Sequence, residues 1–157
     1  MIGFLFLTVF FCYEYPNIFN GKSIKKVIPF IKYQRTGLSK QFSLDLKDQL
    51  MYIMDTEKPY LNGELRLNNL ADLLNISRNH ASQVINEHFK LSFFEFINKY
   101  RIDEAIDLLE KLDESLTITD IAYQVGFNNR VSFYKAFKKA TGVTPLEYKE
   151  HIIASAQ

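Results

Sequence analysis

The chain repeats itself. Leu70-Ala71-Asp72-Leu73-Leu74-Asn75-Ile76 matches Ile121-Ala122-Tyr123-Gln124-Val125-Gly126-Phe127 at an offset of 51 residues. Further on, Ala81, Val84 and Ile85 match Phe133, Ala136 and Phe137 at an offset of 52, so the second copy holds one extra residue in its turn. Each copy reads as a short helix, a tight turn and a second helix. Ala71 and Ala122 let the crossing helices approach, and Asn75 and Gly126 tolerate the positive φ of the turn. One helical hairpin would be weak evidence of anything, but two at this spacing predict paired helix-turn-helix units.

The rest of the chain from Ser43 onward carries helical signals. Leu46, Leu50, Ile53 and Met54 mark one face of a first helix that Lys58-Pro59 should stop. Ser92-Phe93-Phe94-Glu95 is a capping box opening a long helix to about Lys111, with Phe93, Ile97, Tyr100, Ile106 and Leu109 as its apolar positions. Thr117 with Asp120, and Thr144-Pro145 with Glu147, are further start signals, and Gly142 sits where a left-handed C-cap is needed. No segment alternates with period two. The 14 Phe and 9 Tyr supply a core, while only 6 Gly and 4 Pro argue against turn-rich β architectures. The fold class read from this is all-α: two helix-turn-helix units joined by a long spacer helix, preceded by an apolar segment and a basic linker.

Three regions follow: an apolar segment over residues 1–13, a basic linker over 14–42 and the helical domain over 43–157. The run from Ile2 to Tyr13 is uncharged, and as a helix its roughly 18 Å falls short of a ~30 Å hydrocarbon core. Two readings stay open for it: a buried or interfacial segment, or the end of a membrane helix that begins outside this chain. The second reading would place the domain in the cytoplasm at the inner face of the membrane, with the basic linker next to it. The single cysteine, Cys12, excludes an intramolecular disulfide and a cysteine-based zinc site. Lys22, Lys25, Lys26, Lys32, Arg35 and Lys40 against Glu14 give residues 1–41 a net charge of +5. That leaves 13 of the 19 basic and 17 of the 18 acidic groups, a net of −4, for residues 42–157.

Bulk charge therefore counts against a nucleic-acid partner, and the local distribution counts for one. The second helix of the second copy, expected over about 129–141, carries Arg130, Lys135, Lys138 and Lys139 and no acid. Its counterpart over about 77–89 is mostly neutral, with Arg78 and the trailing Lys90 against Glu87. A spacer of about 30 Å would nearly match the ~34 Å between successive major-groove faces of B-DNA. Asp103, Glu104 and Asp107 read as a solvated helix face, since no partner base or glycine-rich loop accompanies them. His80, His88 and His151 are scattered without metal-ligand spacing, so neither a metal, a cofactor nor a catalytic site is expected.

At Ile121-Ala122-x-x-Val125-Gly126-Phe127, Phe133-x-x-x-Phe137-Lys138-Lys139, Gly142-Val143-Thr144-Pro145 and Tyr148, with Arg101 and Ala105 in the spacer, the sequence resembles the AraC-type transcription regulators. The resemblance is to their C-terminal double helix-turn-helix domain and covers about residues 61–152. It implies a bacterial, sequence-specific binder of double-stranded DNA that activates transcription by contacting RNA polymerase. By position it implies base contacts for Asn79, Ser82, Gln83, Arg130, Val131, Ser132 and Lys135. Arg78, His80, Lys138 and Lys139 fall to phosphates. Arg130 and Lys135 can donate to guanine, Asn79 and Gln83 can pair with adenine, and Val131 suits a thymine methyl. The linker, including Lys32 to Ser39, resembles that of membrane-tethered members, which makes a sensor region outside this chain and a second copy of the chain candidate partners. Two departures stand out: Asn75 where the family usually has Gly, and Ala81 where it has a larger apolar residue, which predicts a less firmly packed first unit. The alternative reading is a helical protein-interaction module of a membrane-associated signalling protein that no longer binds DNA.

Overall fold

The computed structural model describes residues 38–111 and 115–155. The apolar segment and the membrane-helix reading attached to it lie outside these residues. Among the described residues seven α-helices follow one another: α1 Lys40–Thr56, α2 Leu67–Leu73, α3 Arg78–Phe89, α4 Phe93–Glu110, α5 Ile118–Gln124, α6 Arg130–Thr141 and α7 Pro145–Ser155. A single 3-10 turn, Pro59–Leu61, lies between α1 and α2. No described residue is in a strand, and no described helix is long and apolar enough to cross a membrane.

The repeat is reproduced to the residue. Both short helices have 7 residues and both second helices have 12. The extra residue of the second copy falls between α5 and α6, as the change of offset requires. Asn75 at φ 52° and Gly126 at φ 92° make the two turns. Their surroundings differ: Asn75 is exposed and Gly126 is buried. Both second helices end on a left-handed residue, Lys90 at φ 58° and Gly142 at φ 85°.

Local chemistry sets the helix starts. Ser92 Oγ accepts from the Glu95 N–H at 3.3 Å, and the Glu95 carboxylate accepts from the Ser92 N–H at 3.1 Å. Thr117 with Asp120 and Thr144 with Glu147 form the same reciprocal pair at α5 and α7. Each satisfies two helix-end donors that would otherwise lack a partner. The first helix begins earlier than the sequence suggests. Ser39 is its N-cap, accepting from Phe42 N–H at 3.3 Å, so Lys40, Gln41 and Phe42 belong to α1 and not to the linker.

Two cores sit on either side of α4. The first gathers Leu46, Leu50 and Met54 of α1 with Leu70, Leu74, Val84 and Ile85, closed by Phe96 and Ile97 of α4. The second gathers Ile121, Val125, Phe127, Phe133 and Phe137, closed by Ile102, Ala105 and Leu109 of α4. Serving two cores turns α4's buried surface from one face to another along its length. That is why Phe96, Ile102 and Ala105 are buried while Phe93, Tyr100 and Ile106, expected on one apolar stripe, are only half-buried. In the second core Phe127, Phe133, Phe137 and Tyr148 meet edge-on at 5.3, 5.6 and 5.5 Å in succession. Each of the three buried phenylalanines is worth about 1.5–3 kcal/mol. Ala81, at the Phe133 position, is itself buried. On that side α1 packs against α3, as α7 packs against α6. The buried Ser43 hydroxyl ties α1 to α3 through His88 Nε2 at 2.8 Å.

Candidate nucleic-acid interface

The second helix of each unit buries one face and leaves the other outward. In α3 the inner face is Ala81, Val84 and Ile85; in α6 it is Phe133 and Phe137. Ser77 caps α3 by accepting from His80 N–H at 3.2 Å, and Asn129 caps α6 by accepting from Ser132 N–H at 2.8 Å. Caps and apolar anchors together fix which residues face away. On α3 these are Arg78, Asn79 and Ser82, all exposed, with His80 and Gln83 half-buried beside them. On α6 they are Arg130, Val131, Ser132, Lys135, Lys138 and Lys139, all exposed. Val131 is 78 % exposed, an apolar side chain standing in water at the first turn of a helix.

Two of the cations are already engaged. Arg130 donates from Nη2 to the Tyr134 hydroxyl at 2.9 Å, and its guanidinium lies 4.8 Å from the centre of that ring. Lys139 pairs with Glu95 at 3.0 Å, joining the end of α6 to the start of α4. Glu95 thus serves its own cap and a lysine 44 residues away. The Ser92 N–H first, then Lys139, hold its carboxyl down to about 2. Lys135 and Lys138 make no ion pair among the described residues.

The acidic face of α4 is less uniform than its sequence suggests. Asp103 and Asp107 are exposed, and Asp103 pairs with Lys99 at 2.9 Å. Glu104 departs from the solvated-face reading: it is partly buried, takes Lys58 Nζ at 2.8 Å and accepts from the Tyr60 hydroxyl at 2.9 Å. The Lys58 hydrogen bond lowers its carboxyl against the opposing effect of burial. No group of His, Cys, Asp or Glu among the described residues is arranged to hold a metal ion.

A family profile described as a helix-turn-helix domain matches residues 70–151. The chain belongs to the AraC-type helix-turn-helix family. It is 35% identical over 115 residues to an HTH-type transcriptional regulator of Staphylococcus aureus (strain COL), covering 73% of this chain and 15% of that protein. Among solved structures it is similar to the C-terminal domain of AraT, a response regulator from Geobacillus stearothermophilus. That match has 29% identity and a TM-score of 0.57, over 69% of this chain and 84% of the other. It also shares the fold of the DNA-binding domain of the transcriptional factor AdpA, solved in complex with a target DNA. There the identity is 18% and the TM-score 0.60, over 70% of this chain and 94% of the other.

The contact residues expected from the sequence lie on α3 and α6 of this AraC-type domain, and the groups that hold Arg130 and Lys139 were not among them. Tyr134 was legible, since a tyrosine four residues after an arginine on a helix lies beside it. Glu95 as the partner of Lys139 was not, because no local spacing relates them.

Proposed function

We propose that this domain binds double-stranded DNA sequence-specifically and regulates transcription, reading two successive major grooves with α3 and α6. The observation that carries this reading is the matched pair of 12-residue helices, each with an outward polar face, on either end of the 18-residue α4. At 1.5 Å per residue α4 spans about 27 Å, somewhat under the ~34 Å turn of B-DNA, which leaves the two outward helices within reach of neighbouring grooves. The solved AdpA domain, of the same fold, was captured on a target DNA.

In this reading Asn79, Ser82 and Gln83 of α3, and Arg130, Val131, Ser132 and Lys135 of α6, meet base edges. Arg78, His80, Lys138 and Lys139 meet phosphates. Tyr134 presents the Arg130 guanidinium as a flat, partly ordered fork, which reduces the side-chain freedom lost on contact. Lys139 must exchange the Glu95 carboxylate for a phosphate, so it adds less to affinity than Lys138. The wider role is control of transcription through contact with RNA polymerase, with a sensor region and a second copy of the chain as further partners. The chain spans about 15% of the length of the Staphylococcus aureus regulator.

The test is a binding selection on random duplex DNA, followed by affinity at several salt concentrations. The expected result is a two-part motif about one helical turn apart, with affinity falling steeply as salt rises. Absence of both enrichment and salt-dependent binding would refute the reading and favour a protein-interaction module.

A further inference from the structure

The segment between α1 and α2 leads into the first helix-turn-helix unit, yet its backbone is gripped by the second. Arg101 of α4, 9% exposed, donates from Nε to the Tyr60 carbonyl at 2.7 Å and from Nη2 to the Asn62 carbonyl at 2.9 Å. Its guanidinium lies 5.5 Å from the ring centre of Phe127, in the turn of the second unit. One residue before, a Cβ on Gly126 would stand 2.4 Å from the Tyr60 carbonyl oxygen and 2.8 Å from that of Leu61. One residue after, Asn128 donates from Nδ2 to the Gly63 carbonyl at 3.2 Å and to Glu64 Oε1 at 3.1 Å. Gly126 and Asn128 of the second turn therefore press on, or bond to, the lead-in of the first unit, while Phe127 between them packs on the Arg101 guanidinium that holds it.

These contacts are not what closes either unit. Within each, the short helix packs on the second helix through its own apolar residues, and α4 closes both cores from the middle. Packing of α4 in both cores sets the distance between the two units along its axis, but the apolar contacts are non-directional and resist a rotation of one unit about that axis less than a second, hydrogen-bonded tie does. The lead-in segment supplies that second tie, because it is continuous with α2 and bonded to the turn between α5 and α6.

The geometry points to Arg101 and Asn128 as positioning residues that fix α3 relative to α6, and so set the separation of DNA half-sites the chain accepts. This rests on the two-groove reading above. Two linked binding modules reinforce each other only where the link holds the second module at its site. A rigid link concentrates that gain at one separation, and a loose link spreads a smaller gain over several. Arg101 is suited to the task because its planar fork meets two carbonyls at once, a geometry that lysine cannot reproduce.

Two measurements on the full chain test this, using Asn128→Ala, whose side chain is exposed, and Arg101→Lys, which keeps the charge. In the first, spin labels at Asn86 and Lys138, on a Cys12→Ser background, report the distance between α3 and α6 without DNA. The unsubstituted brace should give a narrow distribution, and each variant a visibly broader one. In the second, duplexes carry the selected half-sites at stepped separations. Each variant should bind an isolated half-site as the wild type does, while its preference for the best separation over the next falls by roughly tenfold. Unchanged label distances, or an unchanged separation preference, would overturn the inference. So would equal loss on isolated half-sites, which would mark these as residues needed only for folding. A wild-type chain that binds no duplex would overturn the two-groove reading, and with it the half-site consequence. The label distances would still decide whether the brace exists.

Discussion

Gly126→Ala and Gly142→Ala add the same methyl group at two left-handed residues, φ 92° and φ 85°, and should differ widely in effect. At Gly142 the new Cβ meets nothing within 4 Å. Its cost is the backbone term, about 1–2 kcal/mol for an L-residue held in this region. The lower freedom of alanine in the unfolded chain offsets ~0.4–1 kcal/mol of that, leaving a net loss near 1 kcal/mol. At Gly126 the same term applies, and the Cβ also lands 2.4 Å from the Tyr60 carbonyl oxygen and 2.9 Å from the Leu61 carbonyl carbon. Those are backbone atoms in a segment that cannot slide away cheaply. The Tyr60 carbonyl holds Arg101 Nε at 2.7 Å, and the Tyr60 hydroxyl is bonded to Glu104 at 2.9 Å. Displacing the carbonyl sacrifices a hydrogen bond to a charged group, worth about 1.5–3 kcal/mol. The expected total at Gly126 is therefore about 2.5–4 kcal/mol, a large fraction of the roughly 5–15 kcal/mol that holds a typical domain folded. Urea unfolding followed by helical circular dichroism measures both variants, provided the dependence on denaturant stays the same between them. Losses within about 1 kcal/mol of each other would refute the reasoning, since they would mean that the segment yields freely.

Other consequences are as specific. Arg130→Ala should cost about 1–3 kcal/mol on the selected site and relax the preference at one base pair; an equal loss on every sequence would reassign Arg130 to a phosphate. Lys138→Ala should weaken all duplexes almost uniformly and flatten the salt dependence by about one unit, and a selective loss would contradict the phosphate role. Glu95→Gln keeps an acceptor for the cap of α4 but releases Lys139, so DNA affinity should rise and its salt dependence steepen; unchanged binding would show that the ion pair does not compete with phosphate. Glu95, Asp120 and Glu147 are each held below their ordinary carboxyl range by their helix-cap partners, Glu95 at about 2. The stability they add is complete at neutral pH and drains away as the pH falls below 4.5 for the two glutamates and 3.8 for Asp120, towards those lowered values. Replacing the three with Gln, Asn and Gln should flatten urea stability between pH 5 and about 2.5, and an unaltered acid slope would place the titration elsewhere.

The parts legible in the sequence are those governed by neighbours a few residues apart. A Ser or Thr three residues before an acid marks a helix start because each side chain accepts from the other residue's orphan amide, and α4, α5 and α7 all begin that way. The repeat is visible because each copy must supply its own small crossing residue, turn and apolar anchors. The outward faces of α3 and α6 follow from those anchors by subtraction. Ser39 caps α1 without that signal, since Phe42 and not an acid stands three residues on.

What only the tertiary structure decided is which distant groups meet. Asn75 and Gly126 occupy equivalent turns, and from sequence they differ only in tolerance of positive φ. The fold leaves Asn75 exposed and brings the Tyr60 and Leu61 carbonyls against Gly126, so one turn admits a side chain and the other does not. Arg101 reads as a spacer residue until the carbonyls of Tyr60 and Asn62 are found at its fork, and Lys139 reads as a phosphate ligand until Glu95 is found beside it. The physical reason is range. Capping, turn geometry and helical periodicity act over three or four residues and are written into adjacent letters. Desolvation, steric contact and ion pairing act through space, between residues that the fold alone makes neighbours.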